Sequence, residues 1–162
     1  MTVLQPRTPD DEHRATDRIE RVRGRARYAL SALLIFAGVS HFLWARTSFR
    51  AQVPGWVPGD VDTVVLVSGA VEVALGISLL RVRSRWTGWI VGAFFLAVFP
   101  GNISQFIEHR DAFGLDSDTR RGVRLLFQPV LVGWAIWSTA EDPDATPTAR
   151  ACSGPGADRR RA

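Results

Sequence analysis

The chain alternates long apolar runs with short charged breaks. Four runs stand out, from Tyr28 to Trp44, Asp62 to Leu80, Trp86 to Phe106 and Val123 to Ser138. None alternates with period two, which argues against strands, and runs this long favour helices. Each approaches the ~20 residues that cross a ~30 Å hydrocarbon core at 1.5 Å per residue; the fourth is the shortest. A soluble four-helix bundle would need polar faces, with a charge every third or fourth residue. Past Asp62, which opens the second run, the sole Asp, Glu, Lys or Arg inside the first three runs is Glu72. The pattern therefore predicts an all-α protein, a four-transmembrane-helix bundle over residues 27–140. The flanks, residues 1–26 and 141–162, are polar and rich in Asp, Arg and Pro, with no apolar periodicity. Such segments bury too little apolar surface to offset ordering entropy, and both are expected to be disordered tails.

Composition alone would mislead. Mean hydropathy is near zero and the calculated pI is about 10.8, because the charges gather in tails and loops. All 20 basic residues are arginine. Arg14, Arg18, Arg21, Arg23, Arg25 and Arg27 precede the first run, and Arg81, Arg83 and Arg85 fill the short break between the second and third. The opposite side carries fewer, diluted by Asp60, Glu108, Asp111, Asp116 and Asp118. The positive-inside rule then orients the chain N-in and C-in across a bacterial inner membrane. The first run does not read as a cleaved signal: its leader is long and mixed in charge, and no small-x-small site follows. Most tryptophans lie toward run ends, as interfacial belts do, while Trp89 and Trp134 read equally as packing residues. A nucleic-acid partner is not expected, since no binding module surrounds the arginines; they orient the chain and attract anionic lipid. Cys152 is the one cysteine, so no disulfide, thiol pair or cysteine metal site forms within a chain, and no metal site is expected.

The polar residues within the runs share a depth. With the N-terminus inside, His41 falls near the outer end of the first span and Asn102 in the outer part of the third. Arg124 and Gln128 lie one turn apart at the outer end of the fourth. Glu72 is about ten residues below the start of the second, roughly 15 Å deep. An ionisable group at that depth is costly and a functional-site candidate. Ser68, Glu72 and Gly76 form an i, i+4, i+8 row with Gly69 adjoining, and Gly38 lies one turn from His41. Gly88 and Gly92 form a Gly-x-x-x-Gly pair on the third run. Small-residue stripes are packing faces in membranes, so His41 and Glu72 are expected to point inward. Two readings stay open for that pair: buried structural glue, or a proton-handling or ligand site.

Pro100 and Pro129 interrupt the third and fourth runs, each leaving a carbonyl without its donor. Inside a membrane such groups are tolerated where protein or a wet cavity satisfies them. Asn102 and Gln128 either mend these kinks or contact a ligand. The connection Thr47-Ser48-Phe49-Arg50-Ala51-Gln52-Val53-Pro54-Gly55-Trp56-Val57-Pro58-Gly59 has a rigid, amphipathic Pro-Gly-Trp-Val-Pro-Gly core, suited to lying on the outer interface as a lid over the polar residues.

Together these motifs carry a resemblance. Phe36-Ala37-Gly38-Val39-Ser40-His41-Phe42, Val53-Pro54-Gly55-Trp56-Val57-Pro58, Ser68-Gly69-Ala70-Val71-Glu72, Phe99-Pro100-Gly101-Asn102-Ile103 and Arg124-Leu125-Leu126-Phe127-Gln128-Pro129 resemble the DoxX-like family of small four-helix membrane proteins. The likeness covers about residues 27–140. That family takes its name from a subunit of a thiosulfate:quinone oxidoreductase, so the resemblance implies fold and membrane residence more than a reaction. With no cysteine in the matching region, thiol chemistry is not expected. Two function classes follow. One is an accessory membrane protein whose polar cluster of His41, Glu72, Asn102, Arg124 and Gln128 binds a small amphiphile or a membrane or redox protein partner. The other is a subunit of a quinone-linked oxidoreductase in which His41 and Glu72 exchange protons with quinone.

Overall fold

A computed structural model describes residues 9–109 and 118–140. Among them every regular element is a helix: α1 (Pro9–Leu43), α2 (Arg46–Arg50), α3 (Val61–Arg81), α4 (Arg85–Ile107) and α5 (Asp118–Ser138). Local chemistry sets several ends. Asp60 caps α3, its carboxylate accepting from the Thr63 backbone N–H at 2.9 Å and from the Thr63 hydroxyl at 3.1 Å. Ser84 caps α4 by accepting from the Trp86 N–H at 3.2 Å. Such side chains satisfy backbone donors that lack an intrahelical partner.

Residues 9–26 correct the expected disordered tail, for they form the first half of α1. The charges that argued for disorder are arranged in helical order. Asp10, Asp11 and Glu12 occupy the first turn, where acids complement the helix dipole. Asp10 and Arg14, and Asp17 and Arg21, stand at i, i+4 spacing, which supports a helix. The apolar half of the same helix meets the nucleation cost, so extension adds one bond per residue fixed. Residues 1–8, 110–117 and 141–162 lie outside the described residues, and with them the expected C-terminal tail.

The long helices form two tightly packed pairs, α1 with α3 and α4 with α5, joined by lighter α1–α5 and α3–α4 contacts. Glycine makes the first pair close. A Cβ on Gly38 would fall 2.6 Å from the Gly69 carbonyl oxygen, and one on Gly76 would fall 2.6 Å from Ile35 Cγ1. The Ser31 hydroxyl donates to the Gly76 carbonyl at 2.7 Å. Gly88 does the same for the second pair, against Ala135 and Thr139. The apolar core is Leu30, Leu34, Leu79, Val91, Phe95 and Ala135, drawn from all four long helices.

Three helices are long and apolar enough to cross a membrane: Asp10–Leu43, Val61–Arg81 and Arg85–Ile107. Only 22% of the apolar window of α3 is buried within the protein. Phe36, Val67, Ile90 and Leu96 all face outward, which fits lipid as their solvent. α5 is not among the three, and its first turns carry Asp118, Arg120, Arg121 and Arg124. The tryptophans divide. Trp44, Trp56, Trp86 and Trp89 are exposed, whereas the Trp134 indole N–H donates to the Ala26 carbonyl at 3.0 Å and ties α5 to α1.

Candidate functional site

Above the core, at the end of the bundle that carries α2, the two helix pairs enclose a cavity of about 680 Å³. Its floor includes the core residues Leu34 and Phe95, and its walls add Val65, Phe94, Phe127 and Leu131. His41, Glu72, Asn102, Arg124 and Gln128 all line it. They do so as two groups with different partners.

The first group joins α1, α3 and α5. His41 stands in the last turn of α1, 2% exposed. Its Nδ1 lies 2.8 Å from the Ala37 carbonyl oxygen, an acceptor, so Nδ1 carries a proton and donates. Gly69 makes the space for the ring: a Cβ there would stand 2.7 Å from His41 Cβ. One turn along α3, Glu72 brings Oε2 to 3.6 Å from His41 Nδ1. That distance is electrostatic and too long for a hydrogen bond. Glu72 Oε2 is buried and accepts no hydrogen bond. The Arg124 guanidinium supplies the opposing charge from α5.

The second group joins α4 to α5. The Asn102 amide donates to Gln128 Oε1 at 3.0 Å. The Gln128 amide in turn donates to the Phe95 carbonyl. Pro100 takes away the N–H that the Leu96 carbonyl would receive, and Phe95 is the next residue down. The two amides therefore bond each other and the Phe95 backbone, one residue from the carbonyl that Pro100 leaves without its donor.

The α2 segment closes the top. The Phe49 ring stacks on His41, with centroids 3.4 Å apart and planes 17° from parallel. Gln52 Nε2 donates to Gln105 Oε1 at 3.4 Å, and the Gln52 carbonyl approaches so closely that a Cβ on Gly101 would stand 2.7 Å away. Val53, Pro54, Trp56 and Val57 complete this face of the cavity. Phe49, Gln52 and Gln105 were not singled out from sequence. Gln105 had a signal, lying three residues beyond Asn102 and thus on the same helix face. Phe49 and Gln52 fall within the connection expected to act as a lid, but a five-residue helix and the turn after it are too short to carry a periodicity that singles either out.

Among the described residues no three His, Cys, Asp or Glu side chains converge as metal ligands would. The ionisable groups lining the cavity are the Glu72 carboxyl, the His41 imidazole and the Arg124 guanidinium, over apolar walls. The arrangement defines an all-helical protein with membrane-grade helices and a lidded, largely apolar cavity holding an ionisable cluster. A family model described as a domain of unknown function, DUF8561, matches residues 30–139. That is more than half of the chain, and the chain belongs to this family. No curated protein matches it, and no solved structure does.

Proposed function

We propose that the protein is a DoxX-like integral membrane protein of four spans, oriented N-in and C-in in a bacterial inner membrane, that holds a small amphiphile in its central cavity. On this reading α5 is the fourth span and the α2 end is the outer half. The observation that carries the proposal is the cavity itself: roughly drug-sized, mostly apolar, with a few polar groups among its lining, as small-molecule sites are built. Glu72 Oε2, buried with no hydrogen-bond donor, is the atom such an occupant's polar end would meet. The role is accessory and non-catalytic, with the occupant presented to or withheld from a membrane partner.

The test is extraction in mild detergent followed by unbiased identification of copurifying small molecules. One amphiphile is expected near one per chain, and it should be lost from Glu72→Gln. Its absence, together with no thermal stabilisation by added amphiphiles, would sink the proposal. A second reading rests on the 3.6 Å approach of His41 Nδ1 to Glu72 Oε2 beside the cavity. On it, the chain is the membrane subunit of a quinone-linked oxidoreductase, and the pair passes protons to and from bound quinone while a partner subunit handles the electrons. Copurifying quinone with a redox difference spectrum distinguishes this reading from the first.

A further inference from the structure

At the opposite end of the bundle lies a second cavity, of about 530 Å³, between the first half of α1 and the end of α3. Asp17, Glu20, Arg21 and Arg27 line it from α1, and Arg81 and Arg83 from the α3 end. The α1 residues stand at i, i+3, i+4 and i+10, one face of the helix. Four guanidinium groups meet two carboxylates here, so the cavity holds a surplus of positive charge.

Arg27 is the informative member. It is 6% exposed, and its Nε is buried with no hydrogen-bond partner. Among the described residues no carboxylate lies within ion-pair distance of it; the Tyr28 ring lies 5.4 Å from the guanidinium carbon. Burying a guanidinium with no anion is costly, and native proteins pair such charges. The planar fork of arginine matches the oxygens of a phosphate in a bidentate contact. Arg81 closes an apolar membrane-length helix, and exposed Trp86 stands just beyond. Those features put the cavity at the level of lipid headgroups.

We propose that this cavity is a phosphate-binding site, with Arg27 as its buried anchor and Arg21, Arg81 and Arg83 as its outer ring. Asp17 and Glu20 limit the surplus charge and so limit the site to one such group. The phosphate is that of an anionic lipid headgroup or of a soluble phosphate, and both offer the same oxygens.

The test uses the purified full chain in zwitterionic detergent, titrated separately with short-chain phosphatidylglycerol, short-chain phosphatidylcholine and inorganic phosphate, with binding read by native mass spectrometry and by melting temperature. Phosphatidylglycerol should bind and raise the melting temperature, and phosphatidylcholine should not. Arg81→Gln/Arg83→Gln, at the exposed rim, should weaken binding by at least about tenfold. Arg27→Gln should do the same, while Arg46→Gln/Arg50→Gln at the other end leaves it unchanged. Competition by millimolar inorganic phosphate identifies a soluble phosphate as a true occupant; a strict need for acyl chains identifies a lipid. Equal binding of the two lipids, or wild-type affinity in both the rim and the Arg27 variants, overturns the proposal.

Discussion

Gly38 and Gly92 stand in similar apolar helices, yet alanine at the two should act with opposite sign. At Gly38 the added methyl would lie 2.6 Å from the Gly69 carbonyl oxygen and 2.9 Å from the Val73 nitrogen. Both obstacles are backbone, so no side chain can rotate away. Restoring an ordinary contact of at least 3.4 Å requires α1 and α3 to part by roughly 0.8 Å. Overpacking of this kind costs about 1–3 kcal/mol, against which alanine returns up to about 1 kcal/mol of helix propensity. A net loss of about 1–2 kcal/mol is expected.

At Gly92 the same methyl would meet Ile136 and Val132 at 3.6 Å, an ordinary contact with side-chain carbons. Here propensity and contact act together, and Gly92→Ala should be neutral or stabilise by up to about 1 kcal/mol. The assay is reversible unfolding in mixed detergent micelles, followed by tryptophan fluorescence. The two midpoints should move apart by the equivalent of about 2 kcal/mol. Gly38→Ala should also weaken retention of the cavity's occupant, because His41 lies one turn away on the displaced helix. Equal shifts in the two variants would refute the packing argument, for both glycines would then be serving only as generic small residues.

The Asn102–Gln128 clamp should show a coupling of about 0.5–1.5 kcal/mol in a cycle of Asn102→Ala, Gln128→Ala and the double variant, since either single change leaves a buried amide without its partner; additive effects would separate the two amides. Glu72→Leu should destabilise the fold more than Glu72→Gln, measured by the same unfolding assay, because leucine removes the polar group facing the half-buried Arg124 while glutamine keeps a carbonyl oxygen there. Phe49→Ala removes the ring stacked on His41 and should raise hydrogen exchange across residues 46–59, with α4 unchanged. The Thr63 backbone N–H, then its hydroxyl, hold the Asp60 carboxyl below the usual range. A depressed carboxylate stabilises the fold above its unfolded pKa of about 3.9 and loses that contribution as pH falls through its folded value. Asp60→Asn, which keeps the cap, should therefore flatten the stability profile below about pH 4.

The apolar run lengths reported helices, and three of those helices meet the length and apolarity of membrane spans. Run length is legible because it depends only on local composition. The charged half of α1 was not legible as structure: composition reports a segment's own burial, while this segment extends a helix nucleated elsewhere. Glu72 was conspicuous because one charge in an apolar run has no local explanation. Its neighbours were harder to rank. The sequence sets His41 with Glu72 and the two amides at the proline interruptions, but only coordinates show that Asn102 and Gln128 bond each other. Arg27 was counted with its neighbours as one basic residue among many. Its burial comes from tertiary packing, with Trp134 bonded to the neighbouring Ala26 carbonyl across more than one hundred positions of sequence.

Why the cavity lies at the α2 end follows from how each helix pair is held. Glycines seat α1 directly on α3, with backbone against backbone at Gly38 and Gly69. In α4 and α5, Pro100 and Pro129 interrupt the hydrogen-bond ladder, and at this level the pair is bridged by two amide side chains. Amide bridges keep backbones further apart than glycine contacts do. The pairs thus meet at the core, where Leu30, Leu79, Val91 and Ala135 pack together, and part toward α2 around the cavity. An apolar void has no partner atoms for its lining and forfeits their dispersion contacts, so a fold with no use for the space would fill it with larger residues. Here it is instead capped by a stacked aromatic and furnished with an unbonded carboxylate oxygen. Those two features argue for an occupant with an apolar body and a polar end.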